Sequence, residues 1–154
     1  YNDVRRAPPE IESSCLVAYV AKEELFRRAD IVTIHVPYSR ETHHAVGAPE
    51  ISLMKKSAIL IHAARGGVLD DNALVEAVRG GVIAGAGLDV FEGEPAIHPG
   101  FLELENVVLS PHIASSSEKT RFRMAMMAAE NCVAALTSGN PPNLLNPEVL
   151  RKPV

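Results

Sequence analysis

The chain has no glycine-rich phosphate loop. Among its ten glycines the nearest approach is Gly85-Ala86-Gly87. That trio lies inside a strand-like run, lacks the third glycine and is not followed by a helix-like run, so it offers no cradle for a pyrophosphate. Long apolar runs are also missing. Nothing approaches the roughly 20 residues of a membrane span, and the first residues lack the charged-then-apolar pattern of a secretory signal. Basic residues, 15 against 19 acidic ones with a net charge of −4, are scattered, which leaves no patch for nucleic acid. A soluble, cytoplasmic protein with neither nucleic-acid nor membrane partners is expected. Cysteine is scarce: Cys15 and Cys132 form neither a CxxC nor a zinc spacing, which predicts buried free thiols. Side chains one residue apart, such as His43 and His44, are not expected to share an ion, so no metal site is expected.

What is present is an alternation. A strand rich in β-branched residues, 30–36, stops at Pro37, and strands are predicted over 58–63, 82–90 and 106–110. Helices are predicted over 22–28, 49–54 and 72–79, the last closed by Gly80-Gly81. Residues 7–14, with Pro8-Pro9, read as irregular, 16–20 as a short strand and 91–105 as a loop. This spacing argues for an α/β fold with a doubly wound parallel sheet, and the nearly continuous apolar run 58–61 suits a strand buried on both faces. A long helix begins after residue 114, with Ser115 and Glu118 as its capping box. Phe122, Met126, Ala129, Val133 and Leu136 form an apolar stripe that is expected to pack, and Gly139 ends the helix. The proline-rich residues 140–149 then run as a non-helical tail.

Three of the predicted strands deliver polar groups at their carboxyl ends, where parallel α/β proteins bind ligands. Ala58–Ala63 leads to Arg65, Val82–Val90 to Glu94, and Asn106–Ser110 to His112. An arginine to grip a carboxylate, a histidine to move a proton and a glutamate to tune it suit the reduction of a 2-oxo acid. Taken singly, each has a plainer reading. Arg65 would be a surface ion pair, His112 a strand-end histidine, and Glu94 a solvated loop residue with Glu92 as an equal competitor.

The motifs together change the weighing. Ala29-Asp-Ile-Val-Thr-Ile-His-Val-Pro with Glu41-Thr42, Ala63-Ala-Arg-Gly-Gly-Val-Leu-Asp-Asp, Gly87-Leu-Asp-Val-Phe-Glu-Gly-Glu-Pro and Ser110-Pro-His-Ile-Ala stand in order along the chain. In this the chain resembles the D-isomer-specific 2-hydroxyacid dehydrogenase family. Within it, Pro141-Pro-Asn-Leu-Leu-Asn-Pro-Glu-Val is most similar to glyoxylate, hydroxypyruvate and 2-ketogluconate reductases. The resemblance implies a Rossmann-type domain, here residues 1–114, and a return helix and tail, 115–154, that belong to or pack on a substrate domain. It also implies that the glycine-rich loop lies upstream and that these residues are the C-terminal half of a longer enzyme.

For the site the resemblance implies Arg65 as the carboxylate anchor, His112 as the proton donor and Glu94, chosen over Glu92 by its spacing from Asp89, as the partner of His112. Around an NAD or NADP cofactor it places Asp3, His35, Val36, Pro37, Thr42, Ala63, Ala64, Arg65, Asp89, His112 and Ala114. Asp3 at a ribose favours NAD, while Arg5 and Arg6 keep NADP open. His62 departs from the family's usual Asn and reads as a strand-end histidine bonded to backbone. A homodimer is implied. Two further readings stay open: a catalytically silent NAD(H)-sensing interaction module, and an inactive truncated fragment.

Overall fold

The computed structural model describes residues 1–148. Two units are present, Tyr1–His112 and the residues from Ile113 on. The first contains the helices α1 (Pro9–Cys15), α2 (Lys22–Arg28), α3 (Ala48–Ile51) and α4 (Asp71–Arg79). It also contains the strands β1 (Ile31–Ile34), β2 (Ile59–His62), β3 (Gly85–Leu88) and β4 (Val107–Leu109), with a 3-10 turn, Pro99–Glu103, between β3 and β4. The sheet is wholly parallel in the order β1-β2-β3-β4. The parallel α/β fold of the Rossmann type is thus present.

Chain order and spatial order coincide, so successive right-handed crossovers place the connecting helices on one face of the sheet. That corrects one expectation. In β2 only Leu60 and His62 are buried, while Ile59 is 40% exposed. The continuous apolar run is therefore covered on one face, not both, and Ile31 and Val108 are likewise exposed.

On the covered face Leu60, Leu69, Leu74, Ile51, Ala58 and Ile83 form the core, none more than 1% exposed. Helix α4 presents Leu74, Val75 and Val78 to it at helical spacing. The helix begins where Asp70 Oδ1 accepts the Ala73 N–H at 3.0 Å, satisfying a backbone donor that has no partner within the helix. It stops at Gly80, and Gly81 at φ +67° reverses the chain.

The N-terminal segment differs from expectation. Residues 9–15 are helical because Pro9 sits at the first helical position, where a missing N–H costs nothing and the fixed φ suits the helix. Residues 16–20 form no strand. Leu16 is left-handed at φ 55°, and the segment is held by Tyr1, which donates its terminal amine to Ala18 O at 2.7 Å and accepts the Val20 N–H at 2.9 Å. Both cysteines are free, as expected, but exposed, not buried.

In the second unit α5 spans Glu118–Thr137. Its cap is Ser117, whose Oγ accepts the Thr120 N–H at 3.2 Å, and not Ser115. A turn closed by the Ser116 N–H on Ile113 O delays the helix and makes Glu118 its first residue. Gly139, at φ +69°, comes after the Ser138 cap as expected. Along α5 Phe122, Met126, Val133 and Leu136 are exposed, and no residue of the helix is buried among the described residues. In the tail, Asn143 and Asn131 exchange two hydrogen bonds. Val149, the last residue of the proline-rich motif, lies outside the described residues.

Candidate active site

The strand register sets the site. Ile34, His62, Leu88 and Leu109 are successive partners across the sheet and are the last residues of their strands. The four segments that leave these strand ends therefore emerge at one edge. His35-Val36-Pro37 leaves β1, Ala63-Ala64-Arg65 leaves β2, Asp89 to Glu94 leaves β3, and Ser110-Pro111-His112 leaves β4. A cavity of about 390 Å³ at this edge is lined by Arg65, Glu94 and His112 together with Tyr38, His43 and Gly66. The three residues expected to act together do line one cavity.

His112 Nδ1 lies 2.7 Å from Glu94 Oε2. Because the carboxylate only accepts, Nδ1 carries the proton it donates, and Nε2 is left for a ligand. The other carboxylate oxygen, Oε1, accepts the Phe91 N–H at 2.8 Å. These bonds, that from His112 foremost, hold Glu94 below the usual carboxylate pKa against the opposing effect of burial. Glu92 is not the partner of His112. Its carboxylate faces His44 Nε2 at 3.0 and 3.1 Å, and its N–H goes to Asp71 Oδ2 at 3.0 Å. Burial pushes Asp71 up to about 6 despite that bond.

Arg65 is exposed and donates Nη1 to Ala64 O at 2.6 Å. Among the described residues it has no carboxylate partner, which removes the surface-ion-pair reading and leaves a cation at the cavity wall. Its backbone is fixed from below. Buried His62 donates Nε2–H to Arg65 O at 2.9 Å, and burial holds the imidazole below its ordinary pKa against the opposing effect of that bond. His62 is a backbone-bonded strand-end histidine, as its position predicts.

Of the residues expected around a cofactor, Asp3, His35, Val36, Pro37, Thr42, Ala64 and Arg65 line two further cavities that share His35 and Val36, whereas Ala63, Asp89, His112 and Ala114 line neither. One, of about 410 Å³, is lined by His35, Val36, Pro37, Tyr38, Ala64 and Arg65. The other, of about 640 Å³, includes Asp3, Thr33, His35, Val36 and Thr42 in its wall. Thr42 also fastens its own loop by donating Oγ1–H to Pro37 O at 2.7 Å. Ala63 is exposed between His62 and Ala64. Asp89 is buried and accepts Ser110 Oγ–H at 2.6 Å. Ala114 belongs to the second unit.

Three features escape a reading of the sequence. Tyr38 lines two of the cavities, yet nothing in the sequence marks it. Gly66 and Gly67 stand in a recognised motif, but their reason is tertiary. A Cβ on Gly66 would lie 1.9 Å from Phe91 O, and one on Gly67 2.8 Å from the Tyr38 ring. The third is a correction. His43 and His44 do converge, because His44 adopts φ +51° in a tight turn and the two rings stack 3.9 Å apart.

A model of the D-isomer specific 2-hydroxyacid dehydrogenase, NAD binding domain, matches residues 1–114. The chain is 51% identical over 144 residues to a glyoxylate reductase of Aeropyrum pernix, covering 92% of this chain and 43% of that protein. The crystal structure of a glyoxylate reductase from Paecilomyes thermophila matches with a TM-score of 0.85 at 30% identity, over 96% of this chain and 44% of that one. An NADPH-dependent glyoxylate/hydroxypyruvate reductase from Sinorhizobium meliloti, crystallised with NADP and malonate, matches with a TM-score of 0.77 at 36% identity, over 82% and 40%. The chain thus spans less than half the length of these relatives. By the match over residues 1–114, and with its motifs gathered at one sheet edge, the chain belongs to the D-isomer specific 2-hydroxyacid dehydrogenase family.

Proposed function

We propose that this chain carries the acid and anion-binding half of an oxidoreductase that transfers a hydride between NAD(P)H and a small 2-oxo acid of the glyoxylate, hydroxypyruvate or 2-ketogluconate kind. The observation that carries the reading is the cavity shared by Arg65, Glu94 and His112, with no carboxylate on Arg65 among the described residues. A reduced nicotinamide, when bound, supplies the hydride. The guanidinium of Arg65 binds the substrate carboxylate through parallel N–H donors, a geometry a lysine does not offer, and polarises the neighbouring carbonyl. His112, held by Glu94 through Nδ1, gives the Nε2 proton to the carbonyl oxygen as the carbon takes the hydride. The product is the 2-hydroxy acid. Such proton transfer contributes roughly 10² to 10⁴ in rate.

The residues present fit the cofactor. The two cavities joined at His35 and Val36 lead from Asp3 to Arg65; on this reading Asp3 sits at the ribose, His35, Val36, Pro37 and Thr42 toward the adenosine and pyrophosphate, and Ala63, Ala64 and Asp89 toward the nicotinamide. NAD is favoured over NADP. Asp3 repels a 2′-phosphate, and Arg6 is tied to Glu12 by two bonds of 2.9 Å, leaving Arg5 alone to answer one. No helix among the described residues is long and apolar enough to cross a membrane; assembly as a cytoplasmic homodimer is part of the same proposal.

Replacing Arg65 with Ala in the full gene product tests the reading. Loss of charge-assisted bonds worth about 1.5–3 kcal/mol lowers kcat/KM for the 2-oxo acid roughly 10- to 10²-fold, with NADH affinity unchanged. Unchanged kinetics would refute it.

A further inference from the structure

The loop after β1 turns sharply at His44, whose N–H donates to Gly67 O at 2.8 Å and whose φ is +51°. Neighbouring side chains on an extended backbone point apart, but this left-handed residue brings the rings of His43 and His44 into a stack, 23° from parallel. Across from them stands Glu92, both carboxylate oxygens within 3.1 Å of His44 Nε2. One ligand atom from each of His43, His44 and Glu92 lies within 4.8 Å of the other two. Behind His44, Asp70 Oδ2 is 3.8 Å from Nδ1.

Two imidazole nitrogens and one carboxylate form a borderline donor set that suits zinc, nickel or copper better than magnesium or calcium. The spacing suits it as well. A tetrahedral ion with bonds of about 2.0–2.2 Å holds two ligand atoms about 3.3 Å apart, so the His44–Glu92 gap needs to open by only a few tenths of an ångström. The exposed His43 ring closes the third position by rotating about its side-chain bonds. A carboxylate on the far nitrogen is the partner that orients a ligating histidine and raises its basicity, and Asp70 stands in that place.

We propose that His43, His44 and Glu92 bind one divalent transition ion of the zinc type at the rim of the cavity that holds Arg65 and His112. The ligands come from two loops, so the ion ties the turn after β1 to the segment 91–94. The site does not rest on the reductase reading, because it is measured by ion uptake alone.

The test is calorimetric titration of zinc chloride into the chelator-stripped full gene product, beside His43→Ala and Glu92→Gln. The expected result is saturable uptake of one equivalent at micromolar zinc, weakened about tenfold or more in each variant, with a zinc-dependent rise in Tm only in the parent. His43 is exposed and its removal leaves the fold intact, so this variant decides the matter even if Glu92→Gln does not fold. Absence of stoichiometric uptake by the parent, or equal affinity in His43→Ala, would overturn the proposal.

Discussion

Gly66→Ala probes whether the site depends on the close seating of two loops. The added Cβ would lie 1.9 Å from Phe91 O and 2.6 Å from Phe91 C, where real Cβ contacts essentially never fall below 3.0 Å. The backbones must therefore separate by about 1.1 Å, and neither is the yielding end of a flexible side chain. If the 91–94 segment moves, it carries Glu94, which accepts the Phe91 N–H, and with it the grip on His112. If the 65–67 turn moves, it carries Arg65. Either way the arginine and the acid lose their mutual placement, and a displacement of about 1 Å costs on the order of 10²-fold in turnover. Overpacking adds about 1–3 kcal/mol of instability. The assay is steady-state NADH oxidation with a 2-oxo acid, beside a thermal melt. Gly47→Ala is the comparison, since its Cβ would meet nothing closer than 3.8 Å; it should leave both readings near the parent's. Parental kcat/KM in Gly66→Ala would refute the reasoning.

Three other outcomes are expected. Glu94→Gln replaces a charge-assisted bond to His112 with a neutral one, a loss of about 1.4 kcal/mol or tenfold in kcat, with Tm little changed; stopped-flow and steady-state rates check it. Leu60→Ala, at a position with no exposure, should cost about 2–5 kcal/mol, read by urea denaturation. Glu12 is held at about 2, below its ordinary 4.5, chiefly by the hydrogen bond from Arg6. Its contribution is therefore whole above pH 4.5 and lost as pH falls toward 2, so Glu12→Gln should flatten the fall of Tm over that window.

The sheet is legible in the sequence because β1 to β4 are short β-branched or small-residue runs between turn signals, and α4 because Asp70 and Gly80-Gly81 bracket an amphipathic stretch. The convergence of Arg65, Glu94 and His112 is legible for a related reason. In a parallel sheet the carboxyl ends must share an edge, and only their order along the chain is needed to foresee it. The failures share a cause too. Pro9 starts α1, and only position relative to the first turn distinguishes a helix-starting proline from a breaker. The single-faced burial of β2 comes from the order of strands, which is tertiary. The need for Gly66, the convergence of His43 and His44, and the contact of Glu92 with His44 arise from segments more than 20 residues apart or from one left-handed residue, and no local pattern records them.

The most direct measurement of the central claim is NADH consumption by the purified full gene product with glyoxylate, hydroxypyruvate and 2-ketogluconate offered separately, alongside His112→Asn. The account predicts turnover with at least one of these acids and a loss of roughly 10² to 10⁴ in kcat on replacing the histidine. No turnover with any of them in folded protein, or turnover indifferent to His112, would contradict it.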